Sequence, residues 1–359
     1  MIYLTTFKTA LLCFPLVAFL ITIPFILIQY HKYGSINKIR VFIIYSFILY
    51  LMTIYFLVIL PLPSIDEVKT MTSPKIQLIP FSFIADFIKE TPLIITRPNT
   101  YLKALCHSSF YTVLFNIVMT IPFGMYLRYY FKCNLRQIFI DSFLLSLFFE
   151  LTQLSGLYFI YPRPYRLFDV DDLMLNTIGG VVGYSIMGKL KRLFPTREEI
   201  DRKSFEAGKV VSGFRRITLF CLDFIIYSFL TGIISIFLKY SIVKYVIFIL
   251  YFIIIPYHWN SRTIGSNFLK IKLETSRHRA FHLFLRWFLI YLYYVRIPFG
   301  IISLFSLINL DISIKMILMV ILWICLFLFY WISIVKVLKN QTLIYDRLSK
   351  VQLVSTIKS

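Results

Sequence analysis

The chain has 359 residues, 59% hydrophobic and 15% charged, with a formal net charge of +21 and a mean hydropathy of +0.78. A soluble globular chain averages about 25% charged and 45–50% apolar residues; here the apolar excess is gathered into blocks of roughly 16 to 23 residues, long enough for membrane spans. The basic residues lie between those blocks, where topology accounts for them and excludes nucleic acid as a partner, and five scattered cysteines (Cys13, Cys106, Cys133, Cys221, Cys325) without a CxxC exclude a disulfide framework or a metal cluster.

In chain order the blocks predict nine spans, at about 9–29, 41–61, 109–127, 138–158, 173–190, 218–238, 243–257, 288–308 and 315–336. The expected fold class is all-α, a polytopic integral membrane protein of the plasma membrane. The first block is too long for a signal-peptide core and no small-residue cleavage site follows it, so it reads as a span. Lys32, Lys38 and Arg40 fill the 30–40 loop, and Arg128, Lys132 and Arg136 the 128–137 loop. The 191–217 segment carries Lys191, Arg192, Arg197, Arg202, Lys203, Lys209, Arg215 and Arg216, and the 258–287 loop carries Arg262, Lys270, Lys272, Arg277, Arg279 and Arg286. These alternate with the acidic, mixed or short loops 62–108, 159–172, 239–242 and 309–314. Lysine and arginine are retained on the cytoplasmic side, which puts the N-terminus outside and the C-terminus inside. Lys8 stands against that topology.

The polar 191–217 segment separates five spans from four. It divides the chain into a five-helix membrane domain over 1–192, a cytoplasmic linker over 193–212, a four-helix membrane domain over 213–340 and a cytoplasmic tail over 341–359. Within the outer 62–108 loop, Phe83, Ile84, Phe87 and Ile88 fall on one helical face, opposite Asp86, Lys89 and Glu90. That pattern suits a short helix lying in the headgroup region, or equally one packed over the bundle.

The densest polar cluster follows. Glu150 and Gln153 share a face of the fourth span by i, i+3 spacing, and Asp172 and Asn176 share a face of the fifth by i, i+4 spacing. Gly179, Gly180 and Gly183 then allow a neighbouring helix to approach closely. Asn116 lies in the outer half of the third span, ahead of a Pro122–Gly124 break. A carboxylate at Glu150 needs a partner; Arg166 is the nearest, Arg163 the second, and the pair also reads as an interhelical latch. Asp169, Asp171 and Asp172 are hard oxygen ligands, but full calcium-loop spacing is absent, so neither a metal nor a cofactor is assigned. The favoured reading is recognition of a sugar, peptide or phosphate headgroup. In it Glu150, Arg166, Asp169, Asp172 and Asn176 hold the ligand, and Gln153 and Asn116 orient it.

The pattern Ile79-Pro80-Phe81, Asn116 with Pro122-Phe123-Gly124, Glu150-x-x-Gln153, Arg166-x-x-Asp169-x-x-Asp172 and Asn176-x-x-Gly179 resembles the VanZ-like membrane proteins, over about residues 1–192. The resemblance implies five spans and reduced susceptibility to teicoplanin-type glycopeptides. It supplies a phenotype and no mechanism.

In the second half, Gly213-Phe214-Arg215-Arg216 leads into the sixth span, and Asp223 lies two helical turns beyond Arg216, on the same face. With the Thr263–Gly265 loop, this resembles an RDD domain over about 210–340, which implies transport of ions or protons. No acidic residue falls within spans seven to nine, so the second aspartate of that name is not placed. Arg216 and Asp223 also read as a snorkelling pair anchoring the sixth span at the interface.

No GxSxG, HExxH, P-loop or GxGxxG context occurs, and no catalytic residue is assigned. His278 and His282 are spaced i, i+4 without a third ligand nearby. The function expected is a bacterial cell-envelope protein that lowers glycopeptide sensitivity through an external polar site. Membrane lipids and a lipid-linked cell-wall or glycan component are its expected partners. Two alternatives stay open: a transporter exchanging protons at Asp223 and Glu150, and an enzyme acting on an envelope lipid with a metal on Asp169, Asp171 and Asp172.

Overall fold

Helices make up 76% of the structure, a computed structural model that describes residues 2–238, 242–275, 278–308 and 311–358. Arg277 of the predicted basic loop, and residues 239–241 and 309–310 of the two short loops, lie outside the described residues. The helices that carry the architecture are α1 (Ile2–Tyr33), α2 (Lys38–Ile59), α3 (Ser108–Tyr129), α4 (Leu135–Leu154), α5 (Val170–Leu190), α6 (Arg197–Gly208), α7 (Gly213–Phe237), α8 (Val243–His258), α9 (Arg279–Leu307) and α10 (Ile312–Leu338). Among the described residues, seven helices are long and apolar enough to cross a bilayer: α1, α2, α3, α4, α7, α9 and α10. The chain is an all-α, multi-pass membrane protein. The other two predicted spans are helical as well, but α5 opens on Asp171 and Asp172, and α8 is shorter.

Local chemistry sets the helix ends. Asn134 and Gln137 form a capping box that starts α4, and the Asp169 carboxylate accepts the Asp171 N–H to start α5. In α8 and α9 the same device recurs: a π-helical turn, Leu250–Ile254 or Leu292–Arg296, directly precedes Ile-Pro. The wider turn makes room for a proline that lacks an N–H and crowds the preceding turn.

Contacts divide the chain into two compact units, Met1–Ile21 with Lys38–Ile200, and Thr22–Asn37 with Asp201–Ser359. In the first, α3 and α5 run together over glycine. A Cβ on Gly124 would overlap the Gly180 carbonyl, one on Gly179 the Ile117 carbonyl, and one on Gly183 the Ile121 carbonyl. Backbones this close leave no room for side chains, which is what glycine supplies where the hydrophobic effect cannot drive helix association. Above them a two-residue parallel pair, β1 (Ile76–Gln77) with β2 (Phe168–Asp169), joins the two long loops. In the second unit the tail is ordered: β4 (Gln352–Ser355) pairs antiparallel with β3 (Ile271–Glu274), preceded by a short helix, Ile344–Ser349.

Candidate functional site

The end of α2 leaves carbonyls without intrahelical donors, and the loop after α4 supplies them. Gln153 Nε2 donates to Val58 O at 3.1 Å, Tyr165 Oη to Ile59 O at 3.0 Å, Arg166 Nη2 to Leu60 O at 2.6 Å and Tyr161 Oη to Pro63 O at 2.8 Å. A cation at a helix C-terminus is also favoured by the macrodipole. The loop turns through Gly156, Leu157, Tyr158 and Phe159, with φ of 62°, 56°, 57° and 67°. Left-handed conformation costs roughly 1–2 kcal/mol for each non-glycine residue. It is held by Ser155 Oγ, which accepts the Tyr158 N–H at 3.0 Å, and by the Tyr55 and Tyr158 hydroxyls, 3.0 Å apart.

Beside this clamp, carboxylates organise backbone. Glu150, 2% exposed, accepts the Asp169 N–H at 2.9 Å. Asp169 accepts the Asp171 N–H at 2.8 Å and Gln77 Nε2 at 3.2 Å, and burial pushes its carboxyl above the usual range, opposed by that backbone donor. Asp171, also 2% exposed, accepts Phe81 N–H at 2.6 Å, the Ser82 hydroxyl at 2.8 Å and Phe83 N–H at 3.0 Å. It thereby caps the loop helix Ser82–Glu90, whose amphipathic pattern the sequence shows. Glu90 accepts the Ser109 hydroxyl at the start of α3.

Between that loop helix, α3 and α5 lies a cavity of about 280 Å³. Asp86, Glu90, Asp169, Asp171 and Asp172 line it, with Ser82, Ser108, Ser109, Thr112 and Asn116 among the polar neighbours and no basic residue. Three helix N-termini converge here, and their partial positive charge offsets part of the acidity. Asp169, Asp171 and Glu90 each serve one of those helix starts. Asp172 accepts a hydrogen bond from Asn116 Nδ2, and Asp86 stands exposed. Of the five lining carboxylates, Asp86 and Asp172 accept no donor from a helix start, which sets them apart from Glu90, Asp169 and Asp171.

The predicted site residues therefore sort by depth. Asn116, Asp169 and Asp172 line the cavity, whereas Glu150, Gln153, Arg166 and Asn176 brace the structure around it. Arg166 goes to the Leu60 carbonyl, although its charge is felt at Glu150 and Asp172. Asn176, 3% exposed, donates to Ser146 Oγ at 2.9 Å, and its amide oxygen meets no donor among the described residues. Arg163 donates to Ser73 O at 2.6 Å. Sequence reasoning passed over Asp86, Glu90, Ser109 and Thr112 as site residues. The signal was present, since Asp86 and Glu90 share a face by i, i+4 spacing. Among the described residues, no three His, Cys, Asp or Glu side chains are grouped to hold a metal ion.

In the second unit Arg216 and Asp223 line one cavity without pairing with each other. Asp223 accepts Tyr251 Oη at 2.7 Å, Thr263 Oγ1 at 2.8 Å and Gly265 N–H at 3.1 Å. Arg216 pairs with Asp346 of the tail at 2.6 Å, and Arg286 holds the other oxygen of Asp346 at 2.8 Å. Its neighbour Arg215 is fully buried and donates to the carbonyls of Gly208, Leu269 and Lys270. Asp346, in the segment read as a cytoplasmic tail, is the partner that sequence spacing did not reveal.

The VanZ/LLP1 family model matches residues 47–191, the stretch that holds α3, α4, α5 and the acidic cavity. No curated protein and no solved structure matches the chain.

Proposed function

We propose that the first unit is a VanZ-like cell-envelope factor whose acidic cavity recognises an envelope component and lowers susceptibility to glycopeptides of the teicoplanin type. The observation that carries this reading is the cavity itself: carboxylates and hydroxyls on three elements, with no basic side chain in the lining. Such a surface matches an ammonium or a run of hydroxyls, as on an amino-bearing peptide or glycan, and repels a phosphate headgroup. Glu150, Gln153, Arg166 and Asn176 act behind it, holding the frame in which Asp86, Asp172 and Asn116 meet the ligand. Asp169, Asp171 and Asp172 each serve a different protein partner, which favours recognition over a shared metal. The alternation of basic and acidic loops supports an orientation with this face outside the cell and the C-terminus in the cytoplasm.

The test is drug susceptibility in cells carrying Asp86→Asn or Asp172→Asn at matched membrane levels. Removing one charge-assisted contact weakens binding by about tenfold or more, so each variant should lose the protection given by the wild type. Full protection by both variants overturns the reading. Orientation is checked by an impermeant maleimide on intact cells, which should label the exposed Cys106.

For the second unit, the resemblance to an RDD domain and the burial of Asp223 among Tyr251, Thr263 and Gly265 support a second reading, ion or proton transport. It predicts pH-dependent flux in proteoliposomes that Asp223→Asn abolishes; flux that survives the substitution retires it.

A further inference from the structure

The second unit holds a half-open cavity of about 520 Å³, inside the range of small-molecule sites. Its wall is largely aliphatic and aromatic, with Ile217, Phe220, Trp287, Ile290, Ile334 and Val337 from α7, α9 and α10. Arg216, Asp223 and Arg286 are its charged members. Asp223 is satisfied by three protein donors, and the Asp346 carboxylate is shared by both arginines. Arg216 uses both terminal nitrogens, on Gln341 O and Asp346, whereas Arg286 does not. Arg286 is 8% exposed, donates through Nε to Asp346, and its two terminal nitrogens meet no protein acceptor among the described residues. Its guanidinium lies 5.6 Å from the ring centroids of Trp287 and Tyr345, which fix its plane.

A guanidinium held only through its Nε, with its terminal nitrogens turned to accessible space at one side of a largely apolar chamber, has the chemistry of a site for an anionic amphiphile. We propose that this cavity binds an anionic membrane lipid, its phosphate on the terminal nitrogens of Arg286 and an acyl chain along Ile217, Phe220, Ile290 and Ile334. Arg216 and Asp346 hold Arg286 in place and position the fork. A neutral detergent or zwitterionic lipid fills the apolar part equally well but presents Arg286 with a headgroup of no net charge.

Trp287 reports on the chamber. The full chain with Trp259→Phe, Trp323→Phe and Trp331→Phe keeps it as the sole tryptophan. In phosphatidylcholine nanodiscs, phosphatidylglycerol with brominated acyl chains should quench it saturably. Half-quenching is expected at about a tenth of the mole fraction needed with brominated phosphatidylcholine. Ser333→Phe, which fills the cavity without touching the Arg286–Asp346 pair, should remove the saturable phase, and Arg286→Gln should remove the headgroup preference. Quenching that rises linearly and equally with both lipids overturns the proposal without recourse to any variant. So does inorganic phosphate perturbing Trp287 while brominated phosphatidylglycerol fails to quench it, the behaviour of a simple anion site.

Discussion

The two units bury charge at helix ends in opposite ways. In the first, five acidic groups line a cavity with no basic residue, and donors at three helix starts, backbone N–H at two and the Ser109 hydroxyl at the third, engage three of them. In the second, two arginines share one carboxylate from the tail, and a third, Arg215, is spent on three carbonyls and the Ser355 hydroxyl. The first arrangement leaves acceptors over and so faces cations and hydroxyls. The second leaves donors over and so faces anions. What a charged cluster beside apolar helices can bind thus follows from what the backbone has already consumed, not from the residues counted.

Substitutions that break each arrangement sharpen this contrast. The largest effect is expected for Asp346→Ala, which strands Arg216 and Arg286 and should destabilise the second unit by about 3–5 kcal/mol; thermal unfolding in detergent reads it as a large fall in Tm. Next comes Asp171→Ala, which removes the acceptor of three donors and the cap of the loop helix. It should cost on the order of 3 kcal/mol and open Ser82–Glu90 to proteolysis. Arg166→Gln removes a charged cap from α2 and should cost about 1–2 kcal/mol while leaving glycopeptide protection intact at matched protein levels. That outcome separates a brace from a ligand contact, since lost protection would return Arg166 to the site. Asp86→Asn, at an exposed position, should leave Tm unchanged and yet lose protection, the converse result.

Much of the frame was legible in the residues. Apolar block length marks the helices, glycine at 179, 180 and 183 marks a close packing face, and the alternation around Phe83–Glu90 marks the loop helix. Arg166 was not legible as a cap, because its acceptor, Leu60, lies 106 residues earlier. Nor was Asp346 legible as the partner of Arg216, 130 residues away. Glu150 invited an arginine and met a backbone N–H instead.

Composition, block length and spacing by themselves determined that this chain is a multi-pass helical membrane protein with acidic and amide groups at one set of helix ends. These are local properties, written within a few turns of chain, where burial of apolar side chains and short-range spacing suffice. Tertiary structure alone decided which polar groups face the cavities without serving a helix end: Asp86 and Asp172 in one unit, the terminal nitrogens of Arg286 in the other. A buried polar group is silenced by whichever acceptor or donor the fold brings to it, and that partner is chosen by loops closing over a hundred residues or more.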